Sequence, residues 1–166
     1  MCTELQNNIN YFMTQFHSEK NFEALKEVTK CENYFPKQNS PDSKNSRNSY
    51  NADCWSLLKK THGIYMFINS SESKVLYIGE AHKQTLKTRI SQHFHSRDKG
   101  GLTYKLNNSS DELVHTLYKS LEKSVLYVIK ANPETLSKEI LYFESFLIGA
   151  LRPPINFCNP KNSVDH

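Results

Sequence analysis

The stretch Gly63–Phe94, GIYMFINSSESKVLYIGEAHKQTLKTRISQHF, carries the decisive pattern of this chain. GIYMFIN (Gly63 to Asn69) and KVLYIG (Lys74 to Gly79) are short alternating runs rich in aromatic and β-branched residues, the make-up of strands. The polar tetrapeptide Ser70-Ser71-Glu72-Ser73 between them suits a hairpin loop. After Gly79 the period changes. Leu86, Ile90 and Phe94 recur every four residues, one stripe of a helix. Arg89 and His93 share that spacing, so they stack beside the stripe on one helical face.

Downstream, His95 to Leu106 (HSRDKGGLTYKL) contains Gly100-Gly101 and reads as a mobile loop. Asp111 to Glu122 is expected to be a helix, with Leu113, Leu117 and Leu121 on one stripe and Ser109 or Ser110 as its N-cap. SVLYVIK (Ser124 to Lys130) is a third strand. Asn132 as cap and Pro133 in the first turn open another helix, which runs to about Leu151 and stops at Pro153-Pro154. Asn156 follows in an extended segment. Upstream, Phe12, Phe16, Phe22, Leu25 and Val28 recur at mixed three- and four-residue steps. Asn8 to Lys30 is therefore read as two short helices or one broken near Ser18. Pro36 to Asp53 has too little apolar content to pack and is a long loop, able to wrap DNA or to serve as a plain linker. Cys54 to Lys60 brings Trp55, Leu57 and Leu58 to the core boundary.

The expected order β-β-α-α-β-α gives an α/β (α+β) sandwich, a small three-stranded sheet flanked by helices. Residues 1–60 form an N-terminal helical and loop extension, 61–158 the main domain and 159–166 a disordered tail. At 166 residues the chain suits one domain with an appended arm. Hydrophobic content of 37% and a mean hydropathy of −0.65 leave a compact core. No apolar run is long enough for a bilayer, and Met1 to Lys20 lacks a signal-peptide pattern, so no membrane partner is expected. Four scattered cysteines without a CxxC pair argue against a zinc site or disulfide framework and for a reducing, cytoplasmic setting. Net charge is +4, yet Lys74 to Lys105 alone holds seven cationic against two acidic residues, a local balance of +5. Such a cluster attracts phosphates or is an ordinary solvated helix face; Arg89 beside an apolar stripe tips the reading toward function.

Glu144 is the most telling single residue. With about 100° per helical residue it falls inside the apolar arc of Ile140, Leu147 and Leu151. A carboxylate there needs a cation, either a metal or a neighbouring Arg or Lys. One carboxylate with several waters is a common way to hold Mg²⁺ against a phosphate. Arg89 offers a planar fork for bidentate phosphate contact, and the hairpin can bring Tyr65 and Tyr77 to one side.

Gly63-Ile64-Tyr65, Tyr77-Ile78-Gly79, Arg89 with His93, Glu144 in an apolar helix and Asn156 a dozen residues on stand in the order found in the GIY-YIG nucleases. Over residues 63 to 156 the chain resembles that family. The resemblance implies a largely antiparallel three-stranded sheet and a phosphodiester hydrolase. It implies Tyr65 as general base, Tyr77 positioning water or phosphate, Arg89 on the transition-state charge, Glu144 as metal ligand and Asn156 as a brace. His93 would relay a proton or contact the phosphate, and Lys83, Lys87 and Arg97 would bind substrate. These residues are expected to converge on one surface pocket. Many members carry Lys directly after the second Gly, where this chain has Glu80, and the segment to Arg89 is about two residues longer than the common form. His82 or Lys83 could supply the missing cation.

The expected function is a DNA endonuclease using Mg²⁺ (or Mn²⁺) on double-stranded DNA. A restriction-type enzyme is preferred because the chain lacks a large second targeting domain. The alternatives are a repair, recombination or mobile-element nuclease, and a DNA-binding module that has lost catalysis. Two scissile strands make a homodimer the economical way to supply two sites.

Overall fold

A computed structural model describes residues 3–15, 20–30, 58–94 and 101–158. Four strands form one sheet: β1 (Lys26–Lys30), β2 (Gly63–Asn69), β3 (Lys74–Ala81) and β4 (Val125–Lys130). Their order is β1-β4-β2-β3, and every neighbouring pair is antiparallel. The expected hairpin is β2–β3. Its turn is closed by Asn69, whose Oδ1 accepts from the Ser71 amide at 3.2 Å and the Ser71 hydroxyl at 2.8 Å. Strand β2 is interior and buried from Gly63 through Ile68. Gly63 has φ 147° and lies so close to the β4 backbone that a Cβ would collide with the Ile129 carbonyl. Only glycine fits there.

Among the described residues six helices cover the sheet: α1 (Thr3–Gln15), α2 (Leu86–Phe94), α3 (Leu102–Asn107), α4 (Glu112–Glu122), α5 (Ser137–Leu151) and α6 (Pro154–Phe157). On one face Tyr65, Phe67, Leu126 and Val128 pack with α2, α3, α4 and Ile155 of α6. On the other, Ile64, Met66, Ile68, Ile78 and Ile129 meet Leu5, Ile9 and Met13 of α1 and Ile140, Phe143 and Leu147 of α5. Burying each such apolar side chain contributes about 1.5–3 kcal/mol. No helix among the described residues is long and apolar enough to cross a membrane.

Several local expectations need correction. The sheet has four strands, not three, because the second half of the segment read as helical is β1. Its sequence, KEVTK, has one apolar residue and no readable period. Pairing with β4 defines it, and the Tyr127 hydroxyl secures it by donating to the Glu27 carboxylate at 2.7 Å. Helix α3 occupies part of the stretch read as a loop, since Leu102 and Leu106 bury one turn apart after Gly101. Helix α4 is capped by Asp111, which accepts from the Leu113 amide at 2.8 Å, rather than by a serine. Its buried stripe is Val114, Tyr118 and Leu121, and Leu113 is exposed. Helix α5 starts at Ser137, with Glu139 accepting from the Leu136 amide at 2.8 Å. Asn132 and Thr135 are committed instead to the Lys20 and Asn21 carbonyls. Asn156 sits in the short helix α6, not in extended chain. The Pro36–Asp53 loop, Trp55, Leu57, Arg97 and the 159–166 tail lie outside the described residues.

Candidate active site

The β2–β3 register shifts once. Phe67 pairs with Tyr77 and Ile68 with Val75, which leaves Leu76 as an extra residue in β3. Unbroken register puts Tyr77, opposite Phe67, on the face that holds Tyr65, and the bulge turns Leu76 to that face as well. The Tyr65 and Tyr77 rings are then 6.1 Å apart, centroid to centroid. Gly79 lies opposite Tyr65, and the Tyr65 ring crosses over it, so any Cβ there would strike that ring. Tyr65 is fully buried and Tyr77 half-buried. The hydroxyl on the solvent side therefore belongs to Tyr77, with Tyr65 behind it.

Helix α2 supplies the next two groups. His93 is 2% exposed, and its ring lies 5.4 Å from that of Tyr65 and 5.5 Å from that of Tyr77. Its Nδ1 accepts from the Leu102 amide at 3.2 Å, and its Nε2 is hydrogen-bonded to the Tyr65 hydroxyl. A backbone N–H can only donate, so Nδ1 is the unprotonated nitrogen and Nε2–H donates to the tyrosine oxygen. Burial, reinforced by Arg89 and Lys105, lowers the His93 pKa to about 3 and keeps the ring neutral. As a neutral donor it orients Tyr65 and does not take its proton.

Arg89 interacts with both tyrosines. Burial works to lower its pKa, but Tyr65, Tyr77 and Glu80 carry the net shift upward. Its Nη1 donates to Gln92 Oε1 at 3.2 Å. Burial is the main reason that Tyr65 is pushed well above its ordinary range; Tyr77 adds to the shift and Arg89 opposes it. Tyr77 is also raised by burial, while Arg89 and the Tyr65 hydroxyl pull it down.

Contrary to the expectation of one surface pocket, Tyr65 is sealed and Glu144 comes from the opposite face of the sheet. Helix α5 packs Ile140, Phe143 and Leu147 on the face away from Tyr65. Glu80, opposite Ile64 in register, pleats toward that same face. The two faces meet at β3, the edge strand. There Glu144 is half-buried, and burial together with Glu80 raises its carboxyl to about 7 against the pull of Arg89. The field of Glu144 in turn reaches Tyr77. Asn156 holds this edge: its Oδ1 accepts from the Ile78 amide at 2.8 Å and its Nδ2 donates to the Ile78 carbonyl at 2.7 Å. The side chain stands in for a neighbouring strand and fixes the residue between Tyr77 and Gly79.

The family model for the GIY-YIG catalytic domain matches residues 61–157, more than half of the chain. The chain belongs to the GIY-YIG family. Neither the curated proteins nor the solved structures hold a match to it. Both tripeptides of the family's name have structural reasons here. Gly63 admits β4, Gly79 admits the Tyr65 ring, and the β2–β3 register brings the two tyrosines to one face as diagonal neighbours.

Members of the family commonly use a divalent metal, and the residues at Glu144 fit one. The half-buried Glu144 carboxylate is raised by burial and by Glu80 with only partial relief from Arg89, so further positive charge from a cation would stabilise it. Among the described residues no three His, Cys, Asp or Glu side chains form a metal cage. A single carboxylate completed by waters suits Mg²⁺.

Lys83 is exposed in the β3–α2 loop, and Lys87 lies about 200° around α2 from Arg89, so the site does not gather them in. Sequence reasoning missed two features. Glu80 is engaged by His82, whose amide and Nδ1 both reach Oε2, at 2.7 and 2.5 Å. Gln84 and Gln92 form a paired amide contact beside Arg89. Position 80 was flagged by its departure from the family, whereas nothing local marks the glutamines.

Proposed function

We propose that the protein is a Mg²⁺-dependent endonuclease that hydrolyses phosphodiester bonds in double-stranded DNA. The observation that carries this reading is that Arg89 acts on Tyr65, Tyr77 and Glu144 alike, with the two tyrosine rings 6.1 Å apart beside it. A metal held by Glu144 would supply Lewis acidity and positive charge against the phosphoryl oxygens. Arg89 grips the phosphate and offsets the charge that grows as water attacks phosphorus. Tyr77 meets that water from the solvent side. Tyr65, held behind it by His93 and Arg89, acts with it as the base for the water's proton. A tyrosine must be a phenolate to accept a proton. Burial opposes that state in both residues and Arg89 offsets it only in part, so the positive charge of a metal at Glu144 would be needed to complete the shift. One P–O ester bond breaks as the new one forms, and the leaving oxygen is protonated from solvent. Asn156 braces the strand that carries Tyr77.

Lys83, Lys87 and Arg97 are proposed as sequence-independent contacts along the DNA backbone, and residues 1–60 as DNA grip, dimer contact or both. A two-fold dimer would present two sites to the two strands. The preferred context is a restriction-type enzyme in the cytoplasm. The second reading is a DNA-binding module on this scaffold, favoured by the Glu80 carboxylate beside Glu144.

Incubating supercoiled plasmid and genomic DNA with the protein in Mg²⁺ and in EDTA, then mapping product ends, tests the proposal. Defined ends in Mg²⁺ alone support it. Equal cleavage in EDTA would contradict the role of Glu144. DNA binding without cleavage in any divalent ion would favour the second reading.

A further inference from the structure

The loop from β3 to α2 is held at several points. His82 is bonded to Glu80, Thr85 Oγ1 accepts from the Thr88 amide at 3.3 Å at the start of α2, and the Leu86 amide reaches the Thr61 carbonyl at 2.8 Å. The remaining tie joins two amides face to face. Gln84 Nε2 donates to Gln92 Oε1 at 3.0 Å, and Gln92 Nε2 donates back to Gln84 Oε1 at 3.3 Å. Gln92 Oε1 has a second donor in Arg89 Nη1, at 3.2 Å. An amide has one accepting and one donating end. With its NH₂ committed to Gln84, Gln92 turns its carbonyl to the arginine. The reverse orientation would set an NH₂ against a cation.

We infer that the Gln84–Gln92 amide pair is a positioning device that fixes the Arg89 guanidinium in the orientation used on the phosphate. The inference rests on the nuclease reading for its use but not for its geometry. Arginine carries a long chain with much rotamer freedom, and ordering it only when substrate arrives would cost binding energy. Gln92, three residues on along α2, is a helical neighbour of Arg89. Tyr65 holds the guanidinium from the sheet side. An amide suits this task better than a carboxylate. It accepts the Nη1 hydrogen without cancelling the charge that the phosphate must meet. Neither glutamine touches substrate; both act through Arg89, and Gln84 acts at one remove.

The test pairs a direct view of Arg89 with turnover. The Arg89 Nε–H resonance, assigned by its loss in Arg89→Lys, is followed by ¹⁵N NMR in Gln92→Leu, Gln84→Leu and Gln84→Glu. Single-turnover cleavage of plasmid DNA in Mg²⁺, DNA affinity and Tm are measured on the same proteins. Both leucine variants should move the Arg89 signal toward that of a free arginine. They should slow cleavage about tenfold, with affinity and Tm nearly unchanged. Gln84→Glu keeps an acceptor for Gln92 Nε2 and should retain both the signal and the rate. An unmoved Arg89 signal in both leucine variants would overturn the inference. So would an equal loss of rate from Gln84→Leu in an Arg89→Lys background. If Gln92→Leu fails to fold, Gln84→Leu decides alone. If the native protein cuts no DNA, the nuclease reading falls, while the Arg89 signal still decides this inference.

Discussion

Tyr65 and Glu144 approach the edge strand from opposite faces of the sheet, and the two faces treat polar groups in opposite ways. On the Tyr65 face, aromatic residues surround a closed chain of donors and acceptors. The Leu102 amide donates to His93, and His93 donates to Tyr65. Among the described residues no buried side-chain polar atom lacks a partner, so this face holds its shape without a ligand. The Glu144 face is aliphatic, with Ile64, Met66, Ile78, Ile140 and Leu147 beneath α1 and α5. At its rim burial and Glu80 raise the cost of the Glu144 carboxylate, and Arg89 relieves it only in part. One face is complete among the described residues, and under the proposed function the other would be completed by a cation. A site built this way would keep its geometry while remaining inactive until the cation bound.

The most severe way to break the comparison is Glu144→Ala. It should abolish cleavage, by more than about a hundredfold, and leave DNA binding measurable, because the metal serves the transition state more than the encounter. Single-turnover rates and a binding titration check both halves. Retained cleavage would show that the aliphatic face contributes nothing to the chemistry.

Arg89→Ala should cost about 2.7 kcal/mol of barrier, roughly a hundredfold in rate, as for other donors that meet developing charge. Arg89 is the link between the faces, acting on Tyr65, Tyr77 and Glu144 together. A rate within twofold of native would remove it from the chemistry.

Acid sharpens the contrast by attacking the closed face. His93 is neutral when folded, with its pKa lowered to about 3 from the ordinary histidine value near 6.5. Below pH 6.5 the unfolded chain binds a proton that the folded chain refuses, so the stabilisation is present above that pH. It is lost progressively as the pH falls from about 6.5 toward 3. The slope is about 1.4 kcal/mol per pH unit. Urea unfolding at pH 7.5 and pH 5 should therefore differ by about 2 kcal/mol from this group, and His93→Gln should flatten that part of the profile. A native profile with no such fall would contradict the neutral tautomer.

The smallest effect is expected at the edge itself. Asn156→Ala removes two bonds to Ile78, worth about 1 kcal/mol each. Hydrogen exchange at the Ile78 amide should speed up, and cleavage should fall modestly through Tyr77. Unchanged exchange would mean that α6 holds the edge by packing alone.

Much of this arrangement was legible in the chain. The hairpin, helix α2 with Arg89 and His93 one turn apart, and Glu144 inside an apolar arc each follow from a period of two or four residues. Local signals failed where partners were distant. Lys26–Lys30 is a strand because β4 is beside it, and Asn132 is no cap because its amide belongs to the Lys20 carbonyl. Tyr65 is expected in a surface pocket, whereas its ring lies buried across Gly79. No spacing rule could announce that Gln84 and Gln92, eight residues apart across a loop, would face one another.

The sequence by itself determined which chemical groups this protein has and which local element carries each, because strand and helix periods are written in neighbouring residues. Tertiary structure decided which groups meet and which of them meet solvent. The β2–β3 register brings Tyr77 beside Tyr65, the fold of α5 along the edge brings Glu144 within reach of Arg89, and the sealing of Tyr65 leaves Tyr77 facing out. Those outcomes depend on register, on packing between distant segments and on the burial of charge, none of which a run of adjacent residues encodes.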